Sequence, residues 1–158
     1  MTADIDLDDL IKRVVAMEEE ALGIRALDVL ADKLDQTPYM TNGLGDFSYA
    51  TNGEDLQADL YVVRMRLIVG HVTEGYKGQT ERVLRKHIPV LRAFFAAHVG
   101  LTATKYPNPP DYLSQMGATL TGGIGTAYFQ EPGLPMQVGT EFRLQVPVDT
   151  DIEFDERW

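Results

Sequence analysis

The 158-residue chain contains no cysteine. That excludes a disulfide scaffold, thiolate metal sites and a thiol nucleophile, and it suits a reducing compartment. Serine is almost as scarce: Ser48 and Ser114 are the only two, and neither sits in a G-x-S-x-G elbow. The three histidines are scattered at positions 71, 87 and 98, with no H-E-x-x-H pair. No apolar run approaches the ~18 residues of a membrane span. Residues 1–6 are acidic and lack the basic start and apolar stretch of a secretory leader. The expectation is a soluble protein made in the cytoplasm, with no membrane partner. Bases are also under-represented: 14 Lys+Arg stand against 24 Asp+Glu, a net charge of −10. Affinity for phosphate backbones comes mainly from cations, so this balance argues against a nucleic-acid-binding module.

The charge is unevenly placed. The first ten residues carry −4 (Asp4, Asp6, Asp8, Asp9). Residues 149–158 carry another −4, from Asp149, Asp151, Glu153, Asp155 and Glu156 against Arg157. Residues 64–92 carry +5, with Arg64, Arg66, Lys77, Arg82, Arg85, Lys86 and Arg92 outweighing Glu74 and Glu81. Solvated ends and a solvated helix face are the plain explanation. The alternative is head-to-tail complementarity between copies of the chain.

Hydrophobic residues make up 44% of the chain, an ordinary globular share that supports a packed core. Without a repeat or linker, residues 1–148 read as one domain followed by an acidic tail, 149–158. Leu7, Leu10, Ile11, Val14, Met17, Ala21 and Leu22 recur at helical spacing, behind an acidic start and before Gly23. Segment 24–35 fits either a helix or a short strand at 24–29. Residues 36–58 read as irregular, with Asn42-Gly43 and Asn52-Gly53 as turn signals. Phe47, Ser48 and Tyr49 are placed to pair with the run from Leu60. Residues 60–72 alternate as a strand, with Tyr61, Val63, Met65, Leu67 and Val69 on one face. The opposite face carries Arg64 and Arg66, which point to solvent or a partner.

Residues 79–99 form an amphipathic helix with Arg82, Arg85, Lys86 and Arg92 grouped on its polar side. Pro89 is expected to kink or restart it, and Gly100 to stop it. Residues 101–111 read as a Pro-rich loop and 112–129 as a bulged or bent strand pair. Glu141 to Val148 alternate as a strand, with Pro147 marking an edge strand or a strand end. The order gives an α+β domain: a largely antiparallel or mixed sheet packed against one long helix plus an N-terminal helix.

Chemistry is thinly represented. His87 and His98 fall inside the apolar face of the long helix. Eleven residues separate them, about 16 Å along a helix, so one metal cannot take both. They are expected as hydrogen-bonded core or interface histidines. Gly122-Gly123-Ile124-Gly125-Thr126 lacks the Lys-Ser/Thr of a phosphate loop and reads as a bent strand. Asp149, Asp151, Glu153 and Asp155 lie on one face of an extended segment, whereas calcium needs a curled cage of oxygens. No catalytic, metal or cofactor residue is assigned, and a non-enzymatic, structural part is expected.

The element order and several phrases together resemble the tail terminator (tail completion, gpU-like) proteins of long-tailed bacteriophages. The phrases are ALGIRAL (21–27), DKLDQTPYMTNG (32–43), YVVRMRLIVGHV (61–72), TERVLRKHIPVLRAFFAAHVGL (80–101) and GTEFRLQVPVDTDI (139–152). The resemblance implies a strand at 24–29 and a second one starting at Pro38. It also implies a ring, commonly of six copies, in the neck of the virion tail, assembled in the host cytoplasm. Such a ring caps the tail tube, stops its polymerisation and joins the head connector, and DNA passes its lumen without being held. The inter-subunit candidates are then Arg64, Arg66, Arg82, Arg85, Lys86 and Arg92 as one basic patch. Their complement is an acidic arm with Asp149, Asp151, Glu153 and Asp155, or second to it residues 4–9. Two loops taken as flexible are candidates for meeting tube and connector: Thr73, Glu74, Tyr76 and Lys77 in one, Lys105, Tyr106 and Asn108 in the other. The alternatives are another head–tail connector or tube component, or a small-molecule-binding ferredoxin-like domain or enzyme.

Overall fold

The computed structural model describes residues 5–29, 37–49, 58–71 and 77–149. Helix α1 spans Leu7–Leu22. Asp6 caps it by accepting the Asp9 N–H, which satisfies one of the helix's free donors. Gly23 ends it at φ 66°, a left-handed turn natural to glycine, and donates to the Glu19 carbonyl. Strands β1 (Arg25–Leu27), β2 (Tyr39–Ser48) and β3 (Ala58–His71) follow, then helix α2 (Lys77–Ala97) and strands β4 (Thr119–Phe129) and β5 (Gln137–Asp149).

The five strands form one sheet in the order β1-β2-β3-β5-β4. Only β1–β2 is parallel; the other three pairings are antiparallel. The fold is thus α+β with a mixed sheet, a long helix and an N-terminal helix. Both helices pack on the same sheet face. Leu10, Val14 and Met17 of α1 and Leu84, Leu91 and Phe95 of α2 share a core with Met40, Val63, Met65, Leu67, Phe142, Leu144 and Val146. The strand residues belong to the alternating apolar faces, so two-residue periodicity sets which side the helices cover.

Several expectations change here. Segment 24–35, open between helix and strand, contains the three-residue β1, and β2 begins immediately after Pro38. The stretch read as irregular holds the ten-residue β2 instead. Its turn-forming residues are overridden by tertiary partners. Asn42 is buried and gives its side-chain N–H groups to Glu18 and the Leu27 carbonyl, and a bulge lies between Leu44 and Phe47. Phe47 and Ser48 do pair with Tyr61 and Leu60; Asn52-Gly53 lies outside the described residues. Helix α2 runs through Pro89 as one element and is not restarted. The left-handed residue after α2 is Leu101, at φ 57°, and not Gly100. Leu101 is fully buried, so core contacts offset a backbone cost of about 1–2 kcal/mol.

Residues 112–129 are not a strand pair. Leu113 makes a single bridge to Val148, and β4 alone pairs with β5, with bulges at Leu120/Gly123 and Ile124/Ala127. Gly123 is required at the first bulge, because a Cβ there would stand 2.0 Å from the Glu141 carbonyl oxygen. The second half of the chain therefore supplies the sheet edge from the glycine-rich strand, and β5 is internal. Pro147 is tolerated because β4 begins level with Gln145. Pro147 lies past that point, near the strand end, where its carbonyl accepts the Ser114 N–H.

Candidate functional site

Even-numbered residues of β3 and odd-numbered residues of β5 face away from the helices. Register places Arg66 opposite Glu141 and Arg64 opposite Arg143 on this face. Glu141 Oε1 accepts from Arg64 Nε (3.1 Å) and Nη2 (2.9 Å) and from Arg66 Nε (3.0 Å). Arg66 also donates to Glu131 Oε1 at 2.9 Å, and its guanidinium lies 4.3 Å from the centre of the Phe129 ring. The Glu141 and Arg66 side chains are only 7% and 12% exposed, while Arg64 is 42% exposed. Burial pushes the Glu141 carboxyl up, but hydrogen bonds from Arg66 and Arg64 outweigh it and hold the group below its usual range. Beside this network, Arg64, Arg143, Asp46 and Gln145 line a polar hollow of about 520 Å³.

The expected single basic patch is therefore divided. Arg64 and Arg66 lie on the open sheet face and are already paired within the chain. Arg82, Arg85, Lys86 and Arg92 are exposed on α2, on the other side of the sheet. Arg85 pairs with Glu81 at 2.6 Å in an exposed contact of the kind that contributes little stability. The sheet itself separates the two groups. Glu131 and Glu141, which complete the network, were not singled out as site residues. The alternation of β5 marks Glu141 as outward-facing, but only register shows what it faces.

The acidic segments also differ from one another. In residues 4–9, Asp6 is the helix cap and Asp8 pairs with Lys12. Asp9 accepts from Arg13 Nε at 2.8 Å and from the Tyr112 hydroxyl at 3.0 Å. Burial first, then that bond to Asp9, raises the Tyr112 pKa. Asp6, Asp8 and Asp9 thus have partners within the chain; Asp4 lies outside the described residues. Asp149 is the exposed last residue of β5; Asp151, Glu153 and Asp155 lie outside the described residues.

The loop 101–111 is not free. Arg13 Nη1 donates to the carbonyls of Leu101 and Asn108, and its guanidinium lies 4.9 Å from the Tyr106 ring centre. Glu20 accepts from Thr104 N–H and from its hydroxyl. Lys105 and Asn108 remain exposed and Tyr106 half-buried. Replacing Arg13 with methionine should cost about 1–2 kcal/mol, and limited proteolysis should then cut within 102–109 several times faster. An unchanged cleavage rate would show that the loop is held by other contacts. Thr73, Glu74 and Tyr76 lie outside the described residues, and Lys77 is the first residue of α2.

His87 is buried, and burial followed by the neighbouring Lys86 charge lowers its pKa. His98 stacks on Phe94 with centroids 4.0 Å apart, and its Nδ1 lies 2.8 Å from the Phe94 carbonyl oxygen. Among the described residues, no group of three His, Cys, Asp or Glu side chains could hold a metal ion.

Sequence reasoning missed one further feature. Glu18, on α1, is fully buried and accepts from Asn42 Nδ2 at 2.6 Å. Its Oε2 and Asn42 Oδ1 are both buried without a partner. Burial drives the Glu18 pKa well above the usual carboxylate range, against the lowering effect of the Asn42 bond. Burial thus favours the protonated acid over the carboxylate at this position. An acid inside the helix-forming run 7–22 carries no signal of this in sequence, since exposed glutamates are common in helices.

No protein-family model matches the chain, and the search of curated proteins gives no match.

Proposed function

We propose that this chain is a structural subunit of the tail terminator kind, which assembles into a ring that caps a phage tail tube and joins it to the head connector. One observation carries the reading: the helices close only one face of the sheet. The other face carries no helix among the described residues: a small second core of Tyr39, Ile68 and Phe129 covers part of it, the Arg64–Glu141–Arg66–Glu131 network lies beside that core, and the outer edge of β4 is unpaired. Surfaces of this kind suit heterologous contacts, in which one patch of a copy meets a different patch of the next. The resemblance supplies the ring and its partners. An acidic chain also suits a lumen through which DNA slides, because phosphates are repelled.

Negative-stain microscopy of the purified protein, alone and with tail tubes, tests this. Closed rings and density at tube ends are expected. Sedimentation as monomers with bare tube ends would overturn the reading, and self-assembly into long tubes would point to a tube protein. Truncation after Asp149 removes the acidic segment but keeps β5. It should weaken ring assembly, more visibly at low salt, where charges are less screened.

A further inference from the structure

Strand β4 is a sheet edge. Among the described residues nothing pairs with its outer side, and all but Leu120, Ala127 and Phe129 are exposed. An eleven-residue edge with unpaired backbone groups is a template for another strand. A groove runs beside it on the helix side, between β4 and α2. Ile88, Leu120 and Phe142 give it apolar walls, Gly123 leaves its floor without a side chain, and Arg92 lies along it. On the opposite face, Arg143 is exposed and makes no ion pair among the described residues.

We infer that β4 and this groove receive the acidic segment 150–156 of a second copy, added as a further strand. This rests on the self-assembly that the proposed ring requires, and it names the surface and the segment involved. The residue pattern fits. In an extended segment, Ile152, Phe154 and Glu156 share one face, and Asp151, Glu153 and Asp155 share the other. The first set offers two apolar side chains and one acid to a groove with apolar walls and one arginine. The second set offers three acids to the face that carries Arg143. Backbone pairing gives the strand its affinity, and the alternating side chains give it register.

Reach favours another copy as the donor. Leu120 is level with Leu144, five positions before Asp149 along β5. The outer side of β4 is about 17 Å back along the strand and about 10 Å across from Asp149, a straight distance of about 20 Å. Phe154 is five residues beyond Asp149 and extends at most about 18 Å. Its own chain would have to be fully straight to bring Phe154 there, which leaves no residues to turn back and pair along β4; a segment from a second copy carries no such constraint.

The absence of native cysteine makes a clean test possible. Two full-length single-cysteine variants, Phe154→Cys and Thr121→Cys, carrying tags of different size, are mixed and oxidised mildly. A mixed cross-linked dimer is expected, at least tenfold above the yield when Val29→Cys, exposed beside β1 at the opposite edge of the sheet, replaces Thr121→Cys. Equal yields from the two pairings would overturn the proposal. So would a double variant that closes Phe154→Cys onto Thr121→Cys within one chain at high dilution. Arg92→Glu should lower the specific cross-link several-fold, and adding Glu156→Arg should restore it; no loss on Arg92→Glu would also count against the site. Rings that form without the cross-link would sink this docking mode and leave the ring standing. The cross-link without tube capping would sink the terminator reading and leave the docking mode standing.

Discussion

Replacing Glu141 with alanine should lower the unfolding free energy by about 3 kcal/mol, read from urea denaturation followed by circular dichroism. Glu141 Oε1 takes three hydrogen bonds from two arginines on a largely covered patch of sheet. Removing one partner of a buried ion pair leaves the other charge without compensation, at a cost of roughly 3–5 kcal/mol. The lower end applies because Arg66 keeps Glu131 and Arg64 can turn to solvent. Loss of Glu141 also leaves Arg64 directly across from Arg143, and like charges opposite one another destabilise a strand pair. Glu141→Gln keeps the shape and loses only the charge, so its cost should be smaller. Glu141 has a depressed pKa in the folded state. Its contribution is present above the unfolded carboxylate pKa of about 4.3 and is lost as pH falls through the folded value. The gap between the native chain and Glu141→Gln should therefore close in acid. A change below about 0.5 kcal/mol for Glu141→Ala would show that the network behaves as a solvated surface pair.

Glu18→Gln should stabilise the protein, and more so as pH rises. Glu18 is the opposite case, an acid whose folded pKa is raised by burial. Below about pH 4.3 both folded and unfolded chains hold its proton and no penalty exists. Above that value the unfolded chain releases the proton while the folded chain keeps it, so folding becomes less favourable with each step in pH. The loss is at most about 1.4 kcal/mol per pH unit and levels off at the folded pKa. Glutamine cannot ionise, and it offers both a carbonyl and an N–H to Asn42. The native chain and the variant should have similar stability near pH 4 and should diverge as pH rises above it, with the variant higher. Parallel curves above that pH would mean that Glu18 is ionised in the fold. Glu18→Ala is expected to destabilise at every pH, because it empties a packed site and strands Asn42. The two glutamates thus tilt stability in opposite directions: acid removes the Glu141 contribution, and base exposes the Glu18 penalty.

Much of the fold is legible in the sequence where one physical signal dominates. Helix α1 follows from its apolar spacing, acidic cap and Gly23; β3 follows from strict alternation; α2 follows from its amphipathic run. These elements form because solvent and core select one face at a fixed period, which a single segment displays by itself. β2 was hidden because Asn42-Gly43 and Gly45 are turn residues by local preference. Pairing with β3 and the buried Asn42–Glu18 contact reverse that preference. The internal place of β5 was hidden because its partner is a glycine-rich strand whose bulges break the alternation.

By itself, then, the sequence determined the composition limits, the main amphipathic elements, the α+β class and the uneven charge along the chain. It could not determine which charges meet. Arg64 and Arg66 lie near Arg82, Arg85, Lys86 and Arg92 in sequence, yet the sheet places them on opposite sides, and register gives the first two to Glu141, 75 or more residues away. Charge pairing depends on distance in space, and only strand register and layer packing set that distance. The same holds for the β4 edge, whose openness is a property of strand order and of no residue within it.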